Sequence, residues 1–205
     1  MPVIMVANHK GGVGKSTIAT NLAGYFARQG HPVMLGDTDK QHTSLTWLQL
    51  RPPQAPAIRS WDIGPNDTVR PPKGTTHVVL DTPAGLDGAR LDAVMKLADH
   101  VLVPLQASLF DIYPTRAFIT ELHKRRKGEK VRIGVVGNRV REHTIAADQL
   151  RQFLDTLGVP VLGHLRDTQN YVHCAARGLT LWDIAPGRVE RDLEQWAPIL
   201  EWVER

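Results

Sequence analysis

The chain has 205 residues, 42% of them hydrophobic, and a formal net charge of +4, which is length and apolar content enough for one domain with a full core. No apolar run reaches the roughly eighteen residues of a membrane span, and the opening "MPVIMVANHK" lacks the segments of a signal peptide, so a cytoplasmic location is expected. A single cysteine, Cys174, excludes an internal disulfide, and no Cys/His spacing or HExxH run marks a zinc site.

In chain order, "VIMVA" (3–7) is a short apolar run and so a buried strand, followed at once by the Gly-rich "NHKGGVGKST". In "STIATNLAGYFARQG", Ile18, Leu22, Tyr25 and Phe26 share one helical face. Further strands are expected at "HPVMLGD" (31–37), "THVVLD" (76–81), "HVLVPL" (100–105) and "VRIGVVGN" (131–138), with a short one inside "VPVLGHL" (159–165). Helices are expected at about 42–50, 86–98, 112–127 and 144–157. The Pro- and Gly-rich stretch 51–74 reads as a surface connection holding at most one edge strand. Continuous apolar strands alternating with amphipathic helices give an α/β fold, a single domain over 1–205 with a mostly parallel β-sheet and helices on both faces; the Gly-rich loop between its first strand and helix makes a P-loop NTPase domain the expectation.

The loop after the first strand sits where such a sheet binds phosphate, outside strand carboxyl ends and at a helix N-terminus. Gly11, Gly12 and Gly14 let the backbone approach an anion, Lys15 reaches the β- and γ-phosphates, and the Ser16 hydroxyl can ligate Mg²⁺. The strict G-x-x-x-x-G-K-[ST] pattern is not met, because its first glycine falls at His9. Asp37 and Asp39 close one strand and Asp81 another, which places three carboxylates on the loop's side of the sheet, suited to holding magnesium and orienting a water. A lone Asp at a strand end is commonly a turn residue; it is the combination with the loop that points to a nucleotide site.

Together "KGGVGKST", "DTDKQ" and "LDTPAG" resemble the deviant Walker A, Walker A′ and Walker B/switch II segments of the ParA/MinD ATPases, and the likeness extends through "PLQASLFDIYPTRAF" and "VVGNRV" to "GHLRDTQNYVHCAARGLTLWDIAP". The resemblance implies ATP and Mg²⁺ as cofactors, bound by Gly11, Gly12, Val13, Gly14, Lys15, Ser16 and Thr17, with Thr17 at the α-phosphate. It implies catalytic roles for Lys10, Lys15 and Asp39: Lys10 crosses a dimer interface to the partner's ATP, Lys15 serves its own subunit and Asp39 positions the attacking water. Ser16, Asp37 and Asp81 fall around the metal, Asn138 reads the adenine, and Gly85 lets switch II move when the γ-phosphate leaves. His9 and Lys40 depart from the family's commonest residues.

By the same resemblance, the expected function is a ParA-type ATPase, slow alone, that dimerises on ATP, binds DNA without sequence preference and positions a cargo, with hydrolysis stimulated by a ParB-like adaptor. Arg166, Arg177 and Arg188 match or adjoin basic positions that serve DNA binding in relatives, and the expected location is the nucleoid. The basic run "HKRRKGEKVR", with Lys124, Arg125, Arg126 and Lys127, is a second polyanion candidate, or else a helix end whose cations offset the dipole. Only about two residues precede the first strand, so an N-terminal helix-turn-helix is not expected. A MinD-like membrane switch is the alternative, but the terminal "RVERDLEQWAPILEWVER" carries Glu190, Asp192, Glu194, Glu201 and Glu204 on its polar face, which anionic lipid would repel. Its apolar stripe of Val189, Leu193, Trp196, Leu200 and Val203 is expected to dock on the sheet instead. An ATP-dependent ligase or amidase of the dethiobiotin-synthetase type shares the fold, yet has no use for Lys10. A reductase ATPase of the nitrogenase iron-protein type needs paired cysteines.

Overall fold

A computed structural model describes residues 1–39, 41–62, 73–125 and 131–205. The strands are β1 (Val3–Val6), β2 (Val33–Asp37), β3 (Ile58–Asp62), β4 (His77–Asp81), β5 (His100–Leu105), β6 (Arg132–Val140) and β7 (Val161–Arg166). The helices are α1 (Lys15–Arg28), α2 (Thr43–Leu50), α3 (Gly88–Met95), α4 (Leu109–Arg125), α5 (Ile145–Leu154), α6 (Gln169–Ala175) and α7 (Pro186–Glu204), with a 3-10 turn at Leu181–Asp183. The strands form one seven-stranded sheet in the order β3-β2-β4-β1-β5-β6-β7. Every pairing among the described residues is parallel.

Alternation along β1 divides the core in two. Val3 and Met5 face α3, α4 and α5 through Leu91, Val94, Phe118, Leu122 and Leu150, whereas Ile4 and Val6 face α1 and α7 through Ile18, Leu22, Phe26, Trp196 and Ile199. The helix after β1 therefore covers one face and the helix after β5 the other, and the chain reverses its direction of travel across the sheet between these two neighbours. Such a reversal opens a crevice at the strand carboxyl ends. The phosphate loop leaves β1 into that crevice.

The expected stretches all appear, with ends moved by local hydrogen bonding. Among the described residues of the Pro- and Gly-rich segment, β3 is the one strand, and it lies at the sheet edge; residues 63–72 of that segment lie outside the described chain. α4 begins at Leu109, three residues early, because the Ser108 carbonyl accepts from the Asp111 and Ile112 N–H groups (2.9 and 3.1 Å); residues 126 and 127 lie outside the described chain. α5 starts after Thr144, whose hydroxyl accepts from the Ala147 N–H and caps it.

The terminal helix α7 docks on the sheet as its stripe predicts, with Val189, Trp196, Leu200 and Val203 buried, joined by Ile199. Leu193 is half-buried. Burying a large apolar side chain contributes about 1.5–3 kcal/mol, so five such residues make α7 part of the core. One expectation for this helix is corrected. Asp192, placed on the polar face by its sequence neighbours, is 0% exposed and accepts hydrogen bonds from Arg166 and Asn170. Among the described residues no helix is long and apolar enough to cross a membrane.

Candidate nucleotide site

Asn8 anchors the start of the phosphate loop. It is buried, its amide donates to the Pro104 carbonyl (2.8 Å) and the Thr115 hydroxyl (3.0 Å), and its Oδ1 accepts from the Lys10 N–H (3.0 Å). The loop then turns at two left-handed glycines, Gly12 (φ 76°) and Gly14 (φ 95°), a conformation that L side chains resist. Gly14 is restricted twice over, because a Cβ there would lie 2.0 Å from Asn138 Nδ2. Asn138 donates to the Val13 carbonyl (2.8 Å) and Gln106 to the Gly12 carbonyl (2.8 Å), so β6 and the end of β5 hold the loop from the side.

His9, where the strict pattern has glycine, packs on Phe118 with ring centroids 4.4 Å apart and hydrogen-bonds the Leu86 carbonyl through Nε2 (3.0 Å). Its own carbonyl accepts from the N–H of Gly85, which sits at φ 73°. The departure at His9 thus ties the phosphate loop to the switch II segment. Lys40, the other departure, lies outside the described residues.

The two lysines of the loop are placed differently. Lys15, the first residue of α1, is buried, and its ammonium donates to the Lys10 carbonyl (2.8 Å), curling over the loop. Burial pulls its pKa down, while Asp81 and Asp39 oppose that shift. Lys10 sends its ammonium outward to Asp111 at the start of α4, 3.5 Å away.

The carboxylates converge as the sequence suggests. Asp37 and Asp81 stand in register on neighbouring parallel strands, both buried. Asp37 accepts from the N–H groups of Asp39 (2.9 Å) and Ser44 (3.0 Å). Burial raises the Asp37 pKa, and it pushes Asp81 up to about 6 against the opposing hydrogen bond from Ser44 and the influence of the nearby Ser16 hydroxyl. Asp81 Oδ2 accepts from the Ser44 hydroxyl (2.5 Å), but its buried Oδ1 has no partner among the described residues. A buried carboxylate oxygen without a donor, beside the Ser16 hydroxyl, suits a hard cation that prefers oxygen ligands.

Two adjoining open cavities complete the site. One, about 480 Å³, is lined by Gly12, Lys15, Ser16, Asp39 and Ala84; the other, about 1020 Å³, is lined by Gln106, Asn138, Thr168, Tyr171 and Val172. Thr17 and Arg139 line both. The sizes and linings fit a polyphosphate end and a larger, less polar end meeting at Thr17.

The described basic candidates differ in how they are held. Arg166, at the carboxyl end of β7, is bound to Asp192 through two hydrogen bonds of 2.5 and 3.2 Å. Arg125 is held by Asp92 (2.7 Å) and Glu121 (2.8 Å) at the C-terminal end of α4. That end leads into the amino end of β6, whereas the phosphate loop leaves the carboxyl end of β1. Lys124, Arg177 and Arg188 are exposed, and Arg126 and Lys127 fall outside the described residues.

Sequence reasoning missed Asn8, Ser44 and Asp111. Asn8 and Asp111 lie inside the stretches "NHKGGVGKST" and "PLQASLFDIYPTRAF", but only the fold brings Asp111 to Lys10 or Ser44 to Asp81.

Residues 4–181 match the family described as CbiA, the CobQ/CobB/MinD/ParA nucleotide binding domain. The chain belongs to this family. The "Maintenance of carboxysome distribution protein A" of Halothiobacillus neapolitanus is 28% identical over 197 residues, covering 92% of this chain and 91% of that protein. The "Chromosome-partitioning ATPase Soj" of Thermus thermophilus is 29% identical over 166 residues, 65% of this chain and 66% of that one. Among solved structures, the cell division ATPase MinD of Pyrococcus furiosus superposes with a TM-score of 0.76 over 99% of this chain and 98% of its own, at 16% identity; that likeness speaks to fold. The chain is a ParA/MinD-type ATPase with its nucleotide-binding domain on a seven-stranded parallel sheet.

Proposed function

We propose that this ParA/MinD-type ATPase forms an ATP-dependent sandwich dimer, binds DNA non-specifically and positions a cargo, with a cargo-bound, ParB-like adaptor stimulating hydrolysis. The observation that carries the reading is the divergence of the two lysines: Lys15 folds over its own phosphate loop, while Lys10 points outward and is held by one half-exposed contact to Asp111. A lysine with no phosphate role in its own subunit is suited to a partner's nucleotide, where a second cation offsets charge as an arginine finger does. Nucleotide and dimer then stabilise each other by mass action.

Bound MgATP would supply the phosphoanhydride that is cleaved and the cation that offsets its charge. Lys15 would exchange the Lys10 carbonyl for phosphate oxygens, Ser16 would offer its hydroxyl to the metal, and Asp37 and Asp81 would stand around it. Asp39, half-buried at the cavity rim, would hold the water that attacks the γ-phosphorus as the bond to the β-bridging oxygen breaks, giving ADP and phosphate. Without an adaptor to order that rim, turnover would be slow. Asn138 would meet the adenine through the part of its amide not given to Val13. Arg177, Arg188 and Lys124 are the exposed cations for DNA phosphates, and Arg166 and Arg125 contribute less because carboxylates already neutralise them.

The carboxysome-distribution relative supports a protein assembly as cargo, and a cytoplasmic, nucleoid-associated location follows from DNA binding. The test is co-sedimentation with non-specific duplex DNA in the presence of MgATP, MgADP or no nucleotide. Retention with MgATP alone is expected, lost with rising salt; equal retention in all three states would refute the switch.

A further inference from the structure

Ser44, the second residue of α2, is fully buried, and it touches both inner carboxylates. Its N–H donates to Asp37 Oδ2 (3.0 Å) and its hydroxyl to Asp81 Oδ2 (2.5 Å). Asp37 Oδ1 accepts from the Asp39 N–H (2.9 Å), and the His42 N–H closes back on the Asp39 carbonyl (3.1 Å). The segment that carries Asp39 is therefore fastened at its start by Asp37 and at its end by Ser44, and Ser44 extends that fastening to β4.

The hydroxyl also decides how Asp81 is presented. A carboxyl group turns about a broad, two-fold torsion, so something must select which oxygen stays inside and which is offered. Ser44 occupies Oδ2 and leaves Oδ1 as the buried oxygen without a hydrogen-bond partner among the described residues. Its neighbour Thr43 is exposed and has no comparable placement.

We infer that Ser44 is a positioning residue: it orients the Asp81 carboxylate toward the metal and couples metal binding there to the order of the Asp39 segment. The inference rests on the proposed placement of Mg²⁺ beside Asp81. Groups that orient a metal ligand change metal affinity by about 10- to 100-fold when removed.

The experiment is a titration of Mg²⁺ against binding of a fluorescent ADP analogue, with the same affinity measured in EDTA. Ser44→Ala is expected to raise the Mg²⁺ concentration for half-maximal binding about tenfold and to leave the EDTA affinity within twofold. Ser44→Cys, close in shape and with a weak donor, is expected to fall between, and it stands in should the alanine variant not fold. A purely structural role would lower both affinities together, and that result, or no change in either, would overturn the inference. Asp81→Asn separates the two levels. If it abolishes the Mg²⁺ dependence while the Ser44 variants leave it unmoved, only the role of Ser44 fails; if it too leaves the dependence intact, the metal placement fails.

Discussion

Cations among the described residues are held in two ways, and the contrast between the lysines of the phosphate loop and the two arginines tied to C-terminal carboxylates, Arg51 to Asp183 and Arg166 to Asp192, shows which are free to act. Lys15 rests on a backbone carbonyl and Lys10 on a carboxylate 3.5 Å away, partners that a phosphate can replace at small cost. Arg51 and Arg166 are committed. Arg51, with its side chain 5% exposed, pairs with an equally buried Asp183 at 2.9 Å, donates to the carbonyls of Pro56 and Gly178, and lies over Trp47. Arg166 pairs with the buried Asp192. Loosely held charge marks the ligand site, and tightly paired charge marks the frame that carries it.

The sharpest way to break this division is at Arg51. Asp183→Ala leaves a buried guanidinium without its counter-charge and unties the Thr180 N–H and hydroxyl, both of which donate to Asp183. Denaturant unfolding is expected to show a loss of about 3–5 kcal/mol; a loss below about 1 kcal/mol would move Arg51 into the displaceable group. Arg166→Gln strands the buried Asp192 carboxylate, but the Arg166 side chain is 29% exposed and Asn170 still donates to Asp192, so a smaller loss of about 2 kcal/mol is expected. DNA retention of the folded fraction should then fall less than in the double variant Arg177→Ala/Arg188→Ala. The reverse order would mean that Arg166 leaves Asp192 to bind DNA.

For the displaceable group, Asp111→Asn removes the internal partner of Lys10. A partly exposed pair is worth about 0.5 kcal/mol, and with two copies per dimer the ATP-dependent dimerisation constant should rise about fivefold, as read by sedimentation across protein concentrations. Unchanged dimerisation would show that the contact does not hold Lys10 back.

The smallest expected effect concerns pH. Burial lowers the pKa of His77, which stacks on Phe26 and on His31 with centroids 4.6 and 4.0 Å away. The unfolded chain therefore binds the proton more readily, and this contribution to stability is present above the ordinary His range near 6.5 and is lost as pH falls through and below it. His100 and His164 act in the same sense, while the raised pKa values of Asp37 and Asp81 act in the opposite one. The test is consequently a difference: His77→Gln should lose less stability than the parent between about pH 7 and 5.5, and parallel curves would contradict the assignment.

Much of this was legible in the sequence, for reasons that also explain what was not. Buried parallel strands announce themselves as apolar runs, and a phosphate loop needs glycine and lysine at fixed local spacing, so β1, α1, Gly12, Gly14 and Lys15 could be placed from neighbours alone. Asp37 and Asp81 followed from strand ends. Asp192 was misplaced by its acidic sequence neighbours Glu190 and Glu194, although three residues after Val189 and four before Trp196 it falls on the apolar stripe; its partner Arg166 is brought near only by the packing of α7 on β7. Ser44 was hidden for the same reason: its hydroxyl meets a strand 37 positions away. Arg166 was matched as a basic residue, yet basicity in sequence does not reveal whether a carboxylate has already claimed the charge.

The central claim is that ATP joins two copies of this chain through Lys10. Light scattering on a sizing column, with Mg²⁺ and a non-hydrolysable ATP analogue, tests it most directly on the parent and on Lys10→Ala. The parent is expected to double in mass, and Lys10→Ala to remain a single chain while still binding the analogue. A parent that stays at the mass of one chain, or a Lys10→Ala variant that doubles equally well, would contradict the account.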